Sequence, residues 1–480
     1  MQFKKKFGIF HFPIYISGVL LAFAFCAQAL LAEPESQAPP ADPIVDSFPA
    51  QKANSASADA ALGKEMDRID QEIMLKLIEL ARFNINFCRE ANHHQWWRAW
   101  LYPVAREAGT AASFAYTLTD LSQSARGLSR PGRISKISIR HALQSNLCGN
   151  LISGSASSFE LAQNAWVMMA AKRQGYSPSS SVAFVRAIVS QTDKLLQRRD
   201  ELASKIEDKK ESDLHELEKS LLLQVRLQLL YQFRKWSCTS REVAWRENVF
   251  YALDAAQNFV GAASPILSLK GFHHPARKGP SAICSLVSNS MATLNPLVSE
   301  LAGYSIRRYQ KHKLAKDFPM VRPATEKETT VADVKDFANQ KELEDWRLAK
   351  ALLLASRSER MDKALDRDIA SINRLRTVAQ QKAVTGPLIG LATVARSTLA
   401  TVAAYAYSSD KVISTRLAFS GRISQSCGQL YALIDTPATQ VRGIIKSRKL
   451  EKKGEAPEQV FQDRMKRLDE LEAQIKEARY

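Results

Sequence analysis

The sequence predicts an all-α protein in which long charged helices alternate with short helical hairpins rich in small residues. Three observations carry this reading. Runs in which β-branched residues alternate with polar ones are scarce, so strands have little to form from. In the charged segments apolar residues recur at three- and four-residue spacing, as a helix with one packed face requires. Ala, Ser, Gly and Thr are concentrated in paired segments joined by basic loops, and side chains that small let two helices approach closely. Together they describe an elongated molecule of long antiparallel, coiled-coil-like helices interrupted by αα-hairpins.

The first 32 residues have the pattern of an export signal. Lys4, Lys5 and Lys6 precede an uncharged run from Phe12 to Ala32, with small-residue cleavage candidates ending at Ala29 and Ala32. The same 21 uncharged residues would alternatively span a hydrocarbon core of ~30 Å as an uncleaved anchor. Phe25, next to Cys26, is too bulky for a lipid-modified cysteine signal. Residues 33–62, rich in Pro, Ala and Ser, read as a disordered linker. The expectation is an exported protein of the periplasm or cell envelope, and the absence of any Asn-x-Ser/Thr sequon suits a bacterial one.

Three helical units follow, over residues 63–180, 181–330 and 331–455, and a charged C-terminal helix over 456–480. Each unit opens with a long charged helix, over 63–97, 182–253 and 331–381. The polar run 207–213 (EDKKESD) interrupts the second as the turn of a helical hairpin or a weak point in a coiled coil; Leu214, Leu217 and Leu221 then restart the 3-4 spacing. Each unit closes with a small-residue hairpin. The basic loops within the hairpins read RGLSRPGRISKISIR, KGFHHPARKG and SSDKVISTR.

The pattern suggests a threefold repeat of about 140 residues. Cys148, Cys284 and Cys427, spaced by 136 and 143 residues, each fall near the start of a hairpin's second helix. Cys88, Arg89, Glu90 and Trp97 in unit one resemble Cys238, Arg241, Glu242 and Trp245 in unit two. Gly109, Ala111, Thr117 and Leu118 in unit one match Gly390, Ala392, Thr398 and Leu399 in unit three, a pattern the middle unit lacks.

The chain carries 67 basic and 49 acidic residues, a net +18; without the three signal lysines, 64 basic residues leave +15. That excess favours an anionic membrane surface or an envelope polymer as partner. Basic clusters stand at Arg126, Arg130, Arg133, Lys136 and Arg140, at Arg307, Arg308, Lys311, Lys313 and Lys316, and at Lys446, Arg448, Lys449, Lys452 and Lys453. Tyr309 alone interleaves an aromatic ring, so nucleic acid is the less favoured partner. Helical faces offer sites for protein partners or for a homo-oligomer.

Catalytic motifs are missing. No HExxH, GxSxG, P-loop or CxxC occurs, and the chain carries no metal, cofactor or catalytic constellation that we can assign. His93-His94 and His273-His274 lack ligand spacing, and the carboxylate pairs Asp67/Asp70 and Asp366/Asp368 read as solvated charged faces. Five cysteines follow the signal. In oxidising surroundings Cys88 is expected to pair with Cys148 and Cys238 with Cys284, leaving Cys427 alone. Residues 383–407 carry a single charge, Arg396, in 25 residues, which reads as a buried helix or a membrane-inserting one. The leading expectation is therefore an exported, non-enzymatic helical scaffold or adaptor that touches an anionic surface through its basic loops. A membrane-inserting or membrane-embedded component using the small-residue hairpins is the alternative, and an enzyme of unknown type the third.

Overall fold

The computed structural model describes residues 55–91, 98–129, 135–206, 209–273, 277–318, 390–407, 409–452 and 457–477. The export signal, the linker up to residue 54, the charged segment 331–381, His93, His94, His274, Arg130 and Arg133 lie outside the described residues. All regular structure among the described residues is helical: α1 (Ser55–Ala91), α2 (Arg98–Ser129), α3 (Lys136–Arg173), α4 (Pro178–Ala203), α5 (Lys209–Gly271), α6 (Lys278–Asp317), the segment 390–405, α7 (Lys411–Lys452) and α8 (Pro457–Glu477). Helix α1 begins inside the stretch read as linker; α4 stops at Ala203, and α5 begins at Lys209, inside the polar run read as a turn. Ser135 and Ser177 cap α3 and α4 by accepting from the amides of Ser138 and Ser180.

The helices build two regions with opposite interiors. The first is assembled from α1, α4, the N-terminal half of α5, α8 and the end of α6. Its core is apolar: Ile69, Ile73, Leu77 and Leu80 from α1, Val185 and Ile188 from α4, Leu221, Val225, Leu229 and Phe233 from α5, Leu468 and Ile475 from α8, and Leu314 and Phe318 from the end of α6. The 3-4 spacing in each helix puts these residues on one face. Phe83 stacks on Phe184 at a centroid distance of 4.3 Å, and Phe233 meets Phe318 edge-on at 5.9 Å. Each fully buried side chain of this kind contributes about 1.5–3 kcal/mol. One charge enters the core: Arg199 donates to Asp70 at 2.6 Å, to Glu218 at 3.2 Å and to the His215 carbonyl at 2.9 Å. Outside, α8 is fastened to α1 by Arg82, which pairs with Asp469 and Glu472, and by Gln71 donating to the Ile475 carbonyl.

The second region consists of the three small-residue hairpins: α2 with α3, the C-terminal half of α5 with α6, and 390–405 with α7. Antiparallel pairing is visible in the hydrogen bonds between partners. Ser145 donates to the Ala112 carbonyl at 3.0 Å, Ser281 to the Ser264 carbonyl at 2.8 Å, and Ser424 to the Ala392 carbonyl at 3.2 Å. Each of these serines stands three residues before Cys148, Cys284 or Cys427, in an S-x-x-C run. Asn289 donates to the Thr393 carbonyl, and Ser285 meets Ser397, so α6 and 390–405 are antiparallel as well. This register brings the end of 390–405 beside the start of α6, where Gly279 approaches Tyr405.

The same register separates the cysteines. Cys284 lies three residues after Ser281, so it faces residue 261 on α5. Cys238 is 23 residues away along that helix, about 35 Å at 1.5 Å per residue, where a disulfide needs Cα atoms within ~7 Å. The Cys238–Cys284 bridge is therefore not formed. Cys88 is buried on α1 and Cys148 exposed on α3, and neither is in a disulfide, so the Cys88–Cys148 bridge is absent too. Burial among apolar groups pushes the Cys238 thiol up, which keeps it protonated and inert.

Candidate functional site

The hairpin bundle is polar within and apolar without. Its buried residues include Thr117, Asp120, Gln123, Ser153, Ser157, Asp254, Gln257, Asn295, Ser299 and Ser397. Many of their polar atoms are bonded within the protein, while Gln257 Oε1 and Asn295 Oδ1 have no hydrogen-bond partner among the described residues. The hydroxyls of Thr117, Ser124, Ser157, Thr293 and Ser397 donate to carbonyls four residues back on their own helices. Asp254, 1% exposed, accepts from Tyr102 at 3.0 Å, from Ser157, and from Gln257 at 2.6 Å, with Arg106 as a cation 3.7 Å away. Asp120 pairs with Arg422 of α7, which also reaches Ser124. Both of these buried carboxylates are met by a guanidinium, as burial of a charge demands.

Close helix contacts explain the small residues. A Cβ on Gly109 would meet the Gly149 carbonyl at 2.7 Å, and one on Gly149 would meet the Gly109 carbonyl at 2.6 Å. A Cβ on Gly390 would meet Thr293 Cβ at 2.8 Å. Both glycines singled out in the sequence therefore sit at tight crossings. Their partners differ: Gly109 faces its own hairpin, and Gly390 faces α6 of the preceding one.

The outward faces are the reverse. Between residues 101 and 125 of α2 the exposed residues are Leu101, Val104, Ala108, Ala111, Ala115, Leu118, Ser122 and Ala125. On α6, from 279 to 306, they are Pro280, Val287, Leu294, Leu297, Val298, Leu301, Tyr304 and Ser305. On α7, Ile423, Cys427, Leu430, Tyr431, Ile434, Ala438, Val441 and Ile445 form one stripe, and Ile434 is 63% exposed. Helix α3 presents Cys148, Leu151, Ile152, Phe159, Trp166 and Met169, with Trp166 62% exposed. The charge-free stretches are long. Residues 141–171 of α3 contain only Glu160, which is buried, and 248–269 of α5 only Asp254. Residues 279–306 of α6 contain only Glu300, 3.6 Å from Arg246. At 1.5 Å per residue these spans are about 33–46 Å. Helices α2, α5 and α6 contain internal prolines, Pro103, Pro265 and Pro296. Among the described residues no helix is long and apolar enough to cross a membrane.

The basic residues expected to touch an anionic surface lie beyond these spans. Arg126, Lys136 and Arg140 are exposed around the first hairpin turn, and Arg308, Lys311 and Lys313 on the last turns of α6. Arg307 is half-buried and pairs with Glu242 at 3.0 Å. His273 is exposed at the second turn. Among the described residues no cluster of three His, Cys, Asp or Glu side chains has metal-binding geometry.

Where the three hairpins meet there is a small cavity of about 50 Å³, lined by polar groups of all three: Tyr116, Asn146 and Asn150, Ser285 and Asn289, and Arg396. Arg396 donates to the Tyr116 hydroxyl at 3.1 Å, and its guanidinium lies 5.6 Å from the centre of that ring. The sequence marked Arg396 as the lone charge of its segment. What it did not reveal is that the segment's small polar residues would turn inward around that charge. The S-x-x-C runs were its legible trace. Comparison with known proteins finds no matching family model, no similar curated protein and no similar solved structure.

Proposed function

We propose that the protein is a membrane-embedded component of the cell envelope, with the three hairpins lying in the bilayer and the apolar-cored region outside it. One observation carries this reading: over the long spans of α3, α5 and α6 no charged side chain is exposed, and the three charges that those spans contain, Glu160, Asp254 and Glu300, are buried or paired. A water-facing helix of that length has no reason to exclude charge, whereas a lipid-facing one must. The spans of about 33–46 Å exceed a hydrocarbon core of ~30 Å. The internal prolines and small-residue crossings are features that membrane helices tolerate and use. The basic residues at the span ends then meet anionic headgroups, each contributing ~1 kcal/mol. In this reading the two surface contacts expected from the sequence, hairpins in lipid and basic loops on an anionic surface, are parts of one arrangement. The water-exposed faces of α1, α4 and α8 are left for protein partners.

Alkaline carbonate extraction tests the proposal. The protein stays with the membrane if the hairpins are inserted. Its release would favour the peripheral scaffold, docked only through its basic loops. Exchanging Arg126, Lys136 and Arg140 for Glu separates the two in a second way. A peripheral protein then leaves anionic vesicles and does so in wild-type form at high salt, since such contacts decay within a Debye length of ~8 Å at physiological salt. An inserted one sediments with the vesicles under both conditions.

A further inference from the structure

We propose that the cavity at the meeting of the three hairpins binds a small monovalent inorganic anion, chloride in class, on the guanidinium of Arg396 and the amide of Asn146. Arg396 is the one charge contributed by the segment 390–405, and among the described residues it makes no salt bridge. The carboxylate of Asp120 is taken by Arg422, and that of Asp254 is met by Tyr102, Ser157, Gln257 and Arg106. The guanidinium spends one hydrogen bond on the Tyr116 hydroxyl and has others to give. Asn146 supplies a second donor. Its Oδ1 accepts from Ser113 at 3.1 Å and from Asn150 at 3.2 Å, which leaves its Nδ2 hydrogens for the cavity. Arg396 is half-buried, and in a bundle lying in lipid a cation held among helices without a carboxylate calls for a counter-ion.

The size of the cavity limits the ligand. Its volume of about 50 Å³ holds roughly three to five water molecules at 10–15 Å³ each, which suits a halide with one or two companion waters. The polar lining comes from all three hairpins, so a bound anion would tie them together. The inference rests on the membrane reading, because a bundle open to water would screen Arg396 without any bound ion.

The test uses the full chain in mild detergent, with sodium chloride replacing sodium gluconate at constant ionic strength. Chloride should raise the thermal unfolding midpoint, as any ligand specific to the folded state does. Arg396→Gln should abolish that rise, and Asn146→Ala should weaken the apparent chloride affinity several-fold. Arg186→Gln, which alters an exposed pair with Asp317 in the other region, should leave it unchanged. No chloride-specific rise in the wild type, or an undiminished rise in Arg396→Gln, would overturn the proposal. Should Arg396→Gln fail to fold, chloride-35 line broadening by the wild type, reduced in Asn146→Ala, supports the site, and equal broadening in the two overturns it. A protein stripped from membranes by carbonate but still responsive to chloride would remove the membrane reading and keep the anion site. A membrane-retained protein without the response would do the reverse.

Discussion

At Gly109 the two helices of the first hairpin are so close that a Cβ would stand 2.7 Å from the Gly149 carbonyl. Replacing Gly109 with Leu should therefore cost about 1–3 kcal/mol through overpacking, read as a lower unfolding midpoint in detergent. Gly175 makes an instructive contrast. Nothing lies within 4 Å of it, but its φ of +82° is left-handed, so Gly175→Ala should cost about 1–2 kcal/mol of backbone strain with no packing change. A second residue-scale prediction concerns Arg199, which is 1% exposed between Asp70 and Glu218. Asp70→Asn breaks a buried pair from one side and should destabilise by about 3–5 kcal/mol in denaturant titration. Legibility in the sequence divides along the same line. Gly109 and Gly390 stood out as small residues in small-residue helices. Asp70 and Arg199 resembled any other members of charged helices, because the burial of a charge depends on partners far along the chain.

Among the elements, α8 is fastened to α1 in part by charge. Arg82 reaches Asp469 and Glu472, and Lys476 bonds Glu472 within the helix. The hydrogen bond from Lys476, aided by Arg82, holds the Glu472 carboxyl below the usual carboxylate range. A carboxylate depressed in the folded state contributes stability above its unfolded pKa and loses it as pH falls through the folded one. Amide exchange in α8 should therefore quicken on acidification below about pH 4.5 while α5 stays protected, and high salt should mimic part of the effect. Leu468 and Ile475 give α8 its apolar hold, so Leu468→Ala should cost about 2–5 kcal/mol and free the helix at neutral pH. At this scale the sequence was informative. The break after α4 falls near the polar run, although residues 209–213 of that run already belong to α5, the C-terminal charged segment contains α8, and each small-residue pair contributes antiparallel helices. The disulfides were misjudged because sequence distance says nothing of antiparallel register. Once Ser281 pairs with Ser264, Cys284 and Cys238 are drawn apart along the same two helices.

On the scale of the whole molecule, one chain builds two interiors of opposite polarity, and α5 passes through both. Its N-terminal half places Leu221, Val225 and Phe233 in an apolar core, and its C-terminal half places Asp254 and Gln257 in a polar one. Hydropathy averaged along a helix misses this, since it records composition and not the face on which each residue sits. The central claim is that the outward faces of the hairpins meet lipid. Nitroxide labels at single cysteines in the vesicle-reconstituted chain test it most directly, through their relative accessibility to oxygen and to a water-soluble nickel chelate. The account predicts that labels at Leu297, Leu151 and Ile434 are relaxed by oxygen and shielded from nickel, and that labels at Glu72 and Arg186 show the opposite. Nickel accessibility at Leu297 and Ile434 equal to that at Glu72 would contradict it.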